Sequence, residues 1–298
     1  MGKGYETKVL KEKLVEILVN SKTGLSGVEI SEKLGVNRVT MTKYLNIFAT
    51  EGMIHQKNIG NVNLWFIDEG TEQFEFPNDY FKVKAKFLEL LTERQAQKVY
   101  NLIRNCIQSN VNTSKLMTEV IIPTTESIQE LWEKGKITKS EEKLLGTIIS
   151  NSIQILNQIY LEIDPRKNVI IISADSKSTQ TAEAASVSFH SEGWNVSLLG
   201  DLSDSIDVLF DLDIQKFLEK VWTKKNGLMI IVIFSETEDG LKFFSQSINS
   251  VRGKMGKNLS LVLCSKSKVK PTAKADLITD NLENVIQWSQ TTFESTIT

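Results

Sequence analysis

Val28-Glu29-Ile30-Ser31-Glu32-Lys33-Leu34-Gly35 places apolar side chains at helical spacing and ends on a glycine suited to a tight turn. A second helix is expected to open immediately afterwards, at Asn37. In it Met41, Leu45 and Phe48 recur at i, i+4 and i+7 and should face a core, with Asn37 capping the first exposed amides. The opposite face offers Arg38, Thr40, Thr42 and Lys43, side chains able to donate to phosphates or base edges when the first half of a helix enters a major groove. Beyond Gly52-Met53-Ile54, the run from His55 to Ile67 reads as two strands about a Gly60-Asn61 turn.

This layout of helix, turn, second helix and hairpin resembles the winged helix-turn-helix regulators of bacteria and archaea, over about a quarter of the chain. The resemblance implies double-stranded DNA as partner, a recognition helix over 37–51 and a wing near Lys57 and Asn58 that contacts the backbone. A small domain that pairs only with protein is the competing reading of the same pattern. Charge leans toward DNA. The whole chain holds 35 basic and 37 acidic residues, but up to Ile67 there are nine Lys/Arg against six Glu, so a +3 head precedes a −5 remainder. Three net charges are a weak footprint, so useful affinity calls for two heads on one DNA and hence a homodimer.

At 298 residues and 41% hydrophobic, the chain can form two or three units with their own cores. The longest apolar stretches, such as 228–234, are strand-sized and far short of the ~20 residues of a membrane helix. The N-terminus matches no export pattern, and Cys106 and Cys264 lie far apart in apolar surroundings, so a reduced cytoplasmic setting is expected. With two histidines, His55 and His190, no Cys/His cluster exists for zinc and no motif supports a serine-hydrolase triad.

Residues 68–80 are acidic, contain a Gly and a Pro, and read as a linker. Helical periodicity follows over 81–91, 93–109, 113–134 and 138–162, with Thr92 and Ser140 as expected helix starts, giving a four-helix bundle over 81–163. Within it Pro123 precedes Trp132 by nine residues, Gly135 follows by three and Glu142 by ten. That spacing is similar to the helical cap of the cobalamin-binding modules of corrinoid methyltransferase proteins and light-sensing MerR-type repressors. The family's His after the Glu is Lys143 here, and a family Gly is Gln129. Taken singly, Trp132 is an ordinary bundle aromatic and Glu142 a first-turn acid favoured by the helix dipole.

After Asp164-Pro165, strand-like runs at 169–174, 195–199, 228–234, 259–264 and near Leu277 alternate with helical stretches at 178–192, 206–223, 239–252 and 281–290. Nearly unbroken Val/Ile/Leu strands between helices indicate a parallel sheet covered on both faces, of Rossmann or flavodoxin type. The fold class expected is therefore multidomain α and α/β: an N-terminal winged helix, a helical bundle, and a parallel-sheet domain over 164–298. Ligands of such sheets bind beyond the C-terminal ends of the strands. The first loop there, Asp175-Ser176-Lys177-Ser178-Thr179-Gln180, lacks a GxGxxG, which argues against a dinucleotide.

That loop does resemble the Asp-x-His-x-x-Gly loop of cobalamin modules, with Lys177 where the cobalt-ligating His belongs and Gln180 in place of the Gly. Gly193, Gly200-Asp201, and Ser235 with Thr237 fit the later family pattern, whereas the family's double Gly is Cys264-Ser265. A protonated lysine cannot ligate cobalt, and lost glycines remove room for a buried nucleotide tail. The expectation is a module that keeps the fold and needs no cofactor, with a cobalamin bound base-off or water-ligated as the alternative.

These readings combine into a one-component transcription regulator without catalytic activity. Its effector, a small molecule or a protein, is expected between Trp132, Glu142 and Lys143 on the cap and Asp175, Lys177 and Ser235 on the sheet. A corrinoid carrier or methyltransferase component, and a protein-binding adaptor, are the alternatives.

Overall fold

The computed structural model describes residues 7–21, 23–50, 53–60, 62–67, 74–159, 161–205, 210–222, 227–265 and 274–297, and begins with helix α1 (Thr7–Val19). Strand β1 (Leu25–Ser26) leads directly into α2 (Gly27–Leu34), and α3 (Arg38–Thr50) follows. The start of α2 is set by a capping box that the apolar periodicity conceals. Ser26 Oγ accepts from the Glu29 amide at 3.2 Å, and the Glu29 carboxylate accepts from the Ser26 amide at 2.7 Å. The Ser26 amide first, and then the Ser26 hydroxyl, both acting on the carboxylate, hold the exposed Glu29 carboxyl below its ordinary pKa. Gly35, at φ 63°, ends the helix in the left-handed conformation that glycine adopts without strain. Asn37 acts as expected, its Oδ1 accepting from the Val39 amide at 2.9 Å.

Strands β2 (His55–Ile59) and β3 (Val62–Phe66) form an antiparallel hairpin, with Gly60 at φ 63° in its turn; Asn61 lies outside the described residues. β1 pairs with β3 through Leu25↔Trp65 and Ser26↔Leu64, so the small sheet has the order β1-β3-β2. A two-residue strand is too short to leave a period in sequence, and it was not foreseen. Met41, Leu45 and Phe48 are buried with Leu14, Ile30 and Trp65 in one core.

The chain divides into two units, Met1–Asp79 with Lys86–Val111 and Tyr80–Ala85 with Asn112–Thr298. The helices expected as one bundle over 81–163 are thus shared between them, with α4 (Tyr80–Thr92) contributing to both and α5 (Ala96–Gln108) belonging to the first. Of the expected linker, 68–73 lie outside the described residues, while Phe74 is buried. Thr92 closes α4 and does not open the next helix: its hydroxyl donates to the Glu89 carbonyl at 2.8 Å, and Arg94 takes a positive φ of 59°.

In the second unit the expected helix at 113–134 has three parts: α6 (Thr113–Leu116), a π turn at Met117–Ile121 and α7 (Ile122–Glu133). Pro123 has no amide proton and its ring crowds the carbonyl four residues back. The ladder accordingly slips to i→i+5 just before it, with the Ile122 amide donating to the Met117 carbonyl. Helix α8 (Lys139–Asn157) is capped by Thr138 and not by Ser140, because Thr138 and Glu141 complete a second capping box.

Five parallel strands follow: β4 (Lys167–Ser173), β5 (Asn195–Asp201), β6 (Leu228–Phe234), β7 (Leu259–Cys264) and β8 (Leu277–Thr279), in the order β5-β4-β6-β7-β8. Relabelled by position this is 2-1-3-4-5, the flavodoxin order, which decides between the two sheet types left open by sequence. Side chains alternate between two cores. Val169, Ile171, Ile230 and Val232 pack with α9 (Thr179–Ser191) and α12 (Leu282–Ile297). Ile170, Ile172, Ile231 and Ile233 pack with α10 (Phe210–Val221) and α11 (Glu238–Met255). Burial on both faces explains the unbroken Leu228–Phe234 run. Helices α8 and α9 run together, joined by the Gln180 amide donating to the Gly146 carbonyl at 2.8 Å.

Among the described residues no helix is long and apolar enough to cross a membrane, and no group of His, Cys, Asp and Glu is arranged to hold a metal. Cys106 and Cys264 are free and buried, and burial pushes the Cys106 thiol up to about 12.

Candidate functional site

In the first unit, α3 turns Met41, Leu45 and Phe48 inward, and Arg38, Thr42 and Lys43 are exposed on its other side. Thr40 is half-buried, and the Thr42 hydroxyl donates to the Arg38 carbonyl at 2.9 Å, so its proton is taken by its own helix while its oxygen can still accept. Lys57 and Asn58 are exposed on β2, the Lys57 ammonium 5.5 Å from the centre of the Phe66 ring, which His55 stacks on from 5.6 Å. Sequence reasoning passed over Val39, which is 69% exposed in the first turn of α3 beside Arg38.

In the second unit the strand order reverses between β4 and β6, and the crevice beyond their C-terminal ends is where such a sheet binds ligands. At that end of the sheet a network centred on Asp175 joins the loops after β4 and β6. The Asp175 Oδ2 accepts from the Ser235 hydroxyl and from the Glu236 amide, both at 2.7 Å. Its Oδ1 accepts from the Ser178 hydroxyl at 2.9 Å and the Ser178 amide at 3.0 Å. Partial burial opposes ionisation, but the four bonds together outweigh it and hold the Asp175 carboxyl below its usual range. Thr237 then caps α11, its side-chain oxygen accepting from the Gly240 amide. Asp175 and Ser235, placed on separate loops by sequence, are therefore direct partners. Glu236 and Ser178 were missed because neither carries a motif.

Lys177 does not point into a pocket formed with the cap; its ammonium lies 3.9 Å from the Glu236 carboxylate at the surface. On the cap, the Lys139 ammonium sits 3.9 Å above the Trp132 ring and 2.9 Å from the Glu142 carboxylate, while Lys143 is exposed. The six expected pocket residues thus fall into a sheet group of Asp175, Ser235 and Lys177 and a cap group of Trp132 and Glu142, with Lys143 facing solvent. Lys139, which covers the Trp132 face, was missed because a lysine in the first turn of a helix reads as ordinary surface. A separate cleft of about 780 Å³ lies in the first unit. Lys11, Glu12, Lys13, Glu16 and Asp79 line it, charges of both signs that select no class of ligand, and it includes none of the expected site residues.

No protein-family model matches the chain, and no curated protein matches it. Among solved structures it is similar to the monomethylamine corrinoid protein of Methanosarcina barkeri. The match has 12% identity and a TM-score of 0.53, and covers 72% of this chain and 99% of that one. What is shared is a fold, the helical cap with its parallel Rossmann-like sheet. A second match is the methanol:cobalamin methyltransferase complex MtaBC of the same organism, at 11% identity, covering 76% of this chain and 84% of that one. Its TM-score of 0.36 is too low to compare architectures.

The residues present do not fit a His-ligated cobalamin. Where the resemblance would place the ligating His stands Lys177, its ammonium 3.9 Å from the Glu236 carboxylate, and where it would place a glycine stands Gln180, whose amide lies against Gly146. A Cβ on Gly146 would sit 3.0 Å from the Gln180 Nε2, so little room remains there. Gly193 and Gly200 both occupy left-handed conformations, at φ 77° and 70°.

Proposed function

We propose that this chain is a DNA-binding, one-component transcription regulator, with a winged helix-turn-helix head and a regulatory module that kept the corrinoid-protein fold without its cobalt ligation. The observation that carries the head's assignment is the two-sidedness of α3. Its inward face is fully committed to the core, and Arg38, Val39, Thr42 and Lys43 are held outward on the first turns, where a recognition helix meets base edges. The hairpin that follows acts as the wing, and Lys57 and Asn58 contact the phosphate backbone. In the module, Asp175 locks the loops after β4 and β6 together, so an effector acts by engaging or opening that lock. The role proposed is binding, with no catalysed reaction.

Selection from a random duplex pool should recover a short consensus; a pool that stays random would sink the reading. A second reading, a corrinoid carrier, is favoured by the fold likeness, which bears on the second unit more directly than any comparison bears on DNA. Lys177 and Gln180 stand against it. Incubation of the purified protein with methylcobalamin or adenosylcobalamin, followed by desalting, should leave it colourless. Retained corrinoid absorbance in stoichiometric amount would install the carrier reading instead.

A further inference from the structure

We propose that the seam between α8 and α9 is a proton-operated latch, seated while the Glu183 carboxyl carries a proton and loosened when that carboxyl ionises. The latch lies wholly within the second unit and does not rest on the DNA-binding reading. Helix α9 is packed between the strands β4 and β5 and the helices α6, α7 and α8. From Ala182 to Phe189 every one of its side chains is buried except Glu183, which is half-buried. An acid on a helix covered in this way calls for a partner. The two helices run in the same direction and meet through polar groups in step. The Gln180 amide donates to the Gly146 carbonyl at 2.8 Å, the Ser150 hydroxyl donates to the Glu183 carboxylate, and His190 Nε2 lies 3.2 Å from the Ile159 carbonyl oxygen just past α8.

Within this seam the Glu183 carboxyl is satisfied only in part. Ser150 serves one oxygen, while Oε2 is enclosed without a partner. An ionised carboxylate short of donors is costly to enclose, and a neutral one much less so. Burial therefore pushes the carboxyl above its ordinary value, and the Ser150 bond offsets only part of the rise. Among the described residues no charged side chain of the elements packed on α9 contributes, neither Lys115 of α6, Glu119 of the π turn, Glu126 of α7, Glu142 and Lys143 of α8, nor Glu283 of α12. Because the folded carboxyl titrates above the unfolded one, the seam is firmest below the ordinary glutamate range and loses that contribution as pH rises through the folded value. The seam also reaches the strand-end loops. Ser178 holds Asp175 through its amide and hydroxyl, two residues before Gln180 holds α8. Loosening α8 thus releases the cap while Asp175 keeps the loops after β4 and β6 joined.

The test is hydrogen exchange of the full chain, read by mass spectrometry from about pH 5 to about pH 8, a window in which Asp175 stays charged. Exchange of the α8 amides is referred to those of β6, which share the chemical pH dependence. In wild type the α8 amides should exchange faster, relative to β6, as pH rises, by about threefold or more, the scale of one lost hydrogen bond. Glu183→Gln keeps the shape without the charge and should hold α8 protected and indifferent to pH. Glu183→Met, uncharged and of similar volume, should do the same if the glutamine variant folds poorly. His190 is the one imidazole of the second unit, and His190→Gln, which retains a donor toward Ile159, should leave the wild-type pH dependence in place. An α8 that tracks β6 at every pH, a pH dependence that survives both Glu183 variants, or one abolished by His190→Gln would each overturn the latch. None of these outcomes touches the assignment of α3, which is read with DNA present.

Discussion

Gly227→Ala is expected to lower the unfolding temperature of the second unit by about 10 °C or more, or to leave it insoluble. Gly227 has φ 71°, and a Cβ there would collide with the Arg166 carbonyl oxygen and lie 2.5 Å from the Arg166 Cα. Both are backbone atoms and cannot swing aside. The same carbonyl accepts from the Leu228 amide at 2.9 Å, immediately before Lys167 and Leu228 begin the β4–β6 pairing, so any retreat of Arg166 unzips the two central strands. Left-handed strain costs about 1–2 kcal/mol and overpacking about 1–3 kcal/mol more, against a total stability of about 5–15 kcal/mol. Thermal unfolding followed by circular dichroism gives the answer. A variant within a few degrees of wild type would mean that β6 does not enter the sheet as described.

Asp175→Ala carries the second large effect, an expected loss of about 3 kcal/mol. The substitution removes the acceptor for two hydroxyls and two amides at the strand ends, and water can replace only part of that because the site is half-buried. Its pH dependence has a definite sign. The folded carboxyl titrates below the unfolded one, so its contribution is complete above the ordinary carboxylate range and fades as pH falls through the folded value. Denaturant titrations of wild type and variant should therefore differ by a constant amount above about pH 5 and converge below about pH 4. A gap that stays constant down to acid would show that the charge on Asp175 contributes nothing.

The parallel sheet was legible because residues buried on both faces leave almost no polar letter in a strand. Leu228–Phe234 and Leu259–Cys264 were bounded to the residue. α3 and the hairpin were legible because one face of each must be apolar. What escaped depends on single hydrogen bonds or on chain reversal, which have no period. The Ser26–Glu29 and Thr138–Glu141 boxes moved helix starts, Thr92 ended a helix it was expected to begin, and Pro123 broke one long helix into three pieces. At the candidate site the sequence placed Asp175 and Ser235 on the loops that follow β4 and β6, and the topology brings those strand ends side by side. The sequence could not show that Asp175 and Ser235 touch, that Lys177 lies near Glu236, or that Lys139 lies over Trp132. Those are side-chain directions, fixed only once the backbone is in place.

The most direct measurement is fluorescence anisotropy of a selected duplex against increasing salt, with wild type and the Arg38→Ala, Lys43→Ala double variant side by side. Two heads neutralising about three phosphates each should give an affinity that falls with salt at a log–log slope of about −5, and the double variant should not bind. Equal binding by the double variant, or affinity indifferent to salt, would contradict the placement of α3 in the major groove and the regulator built on it.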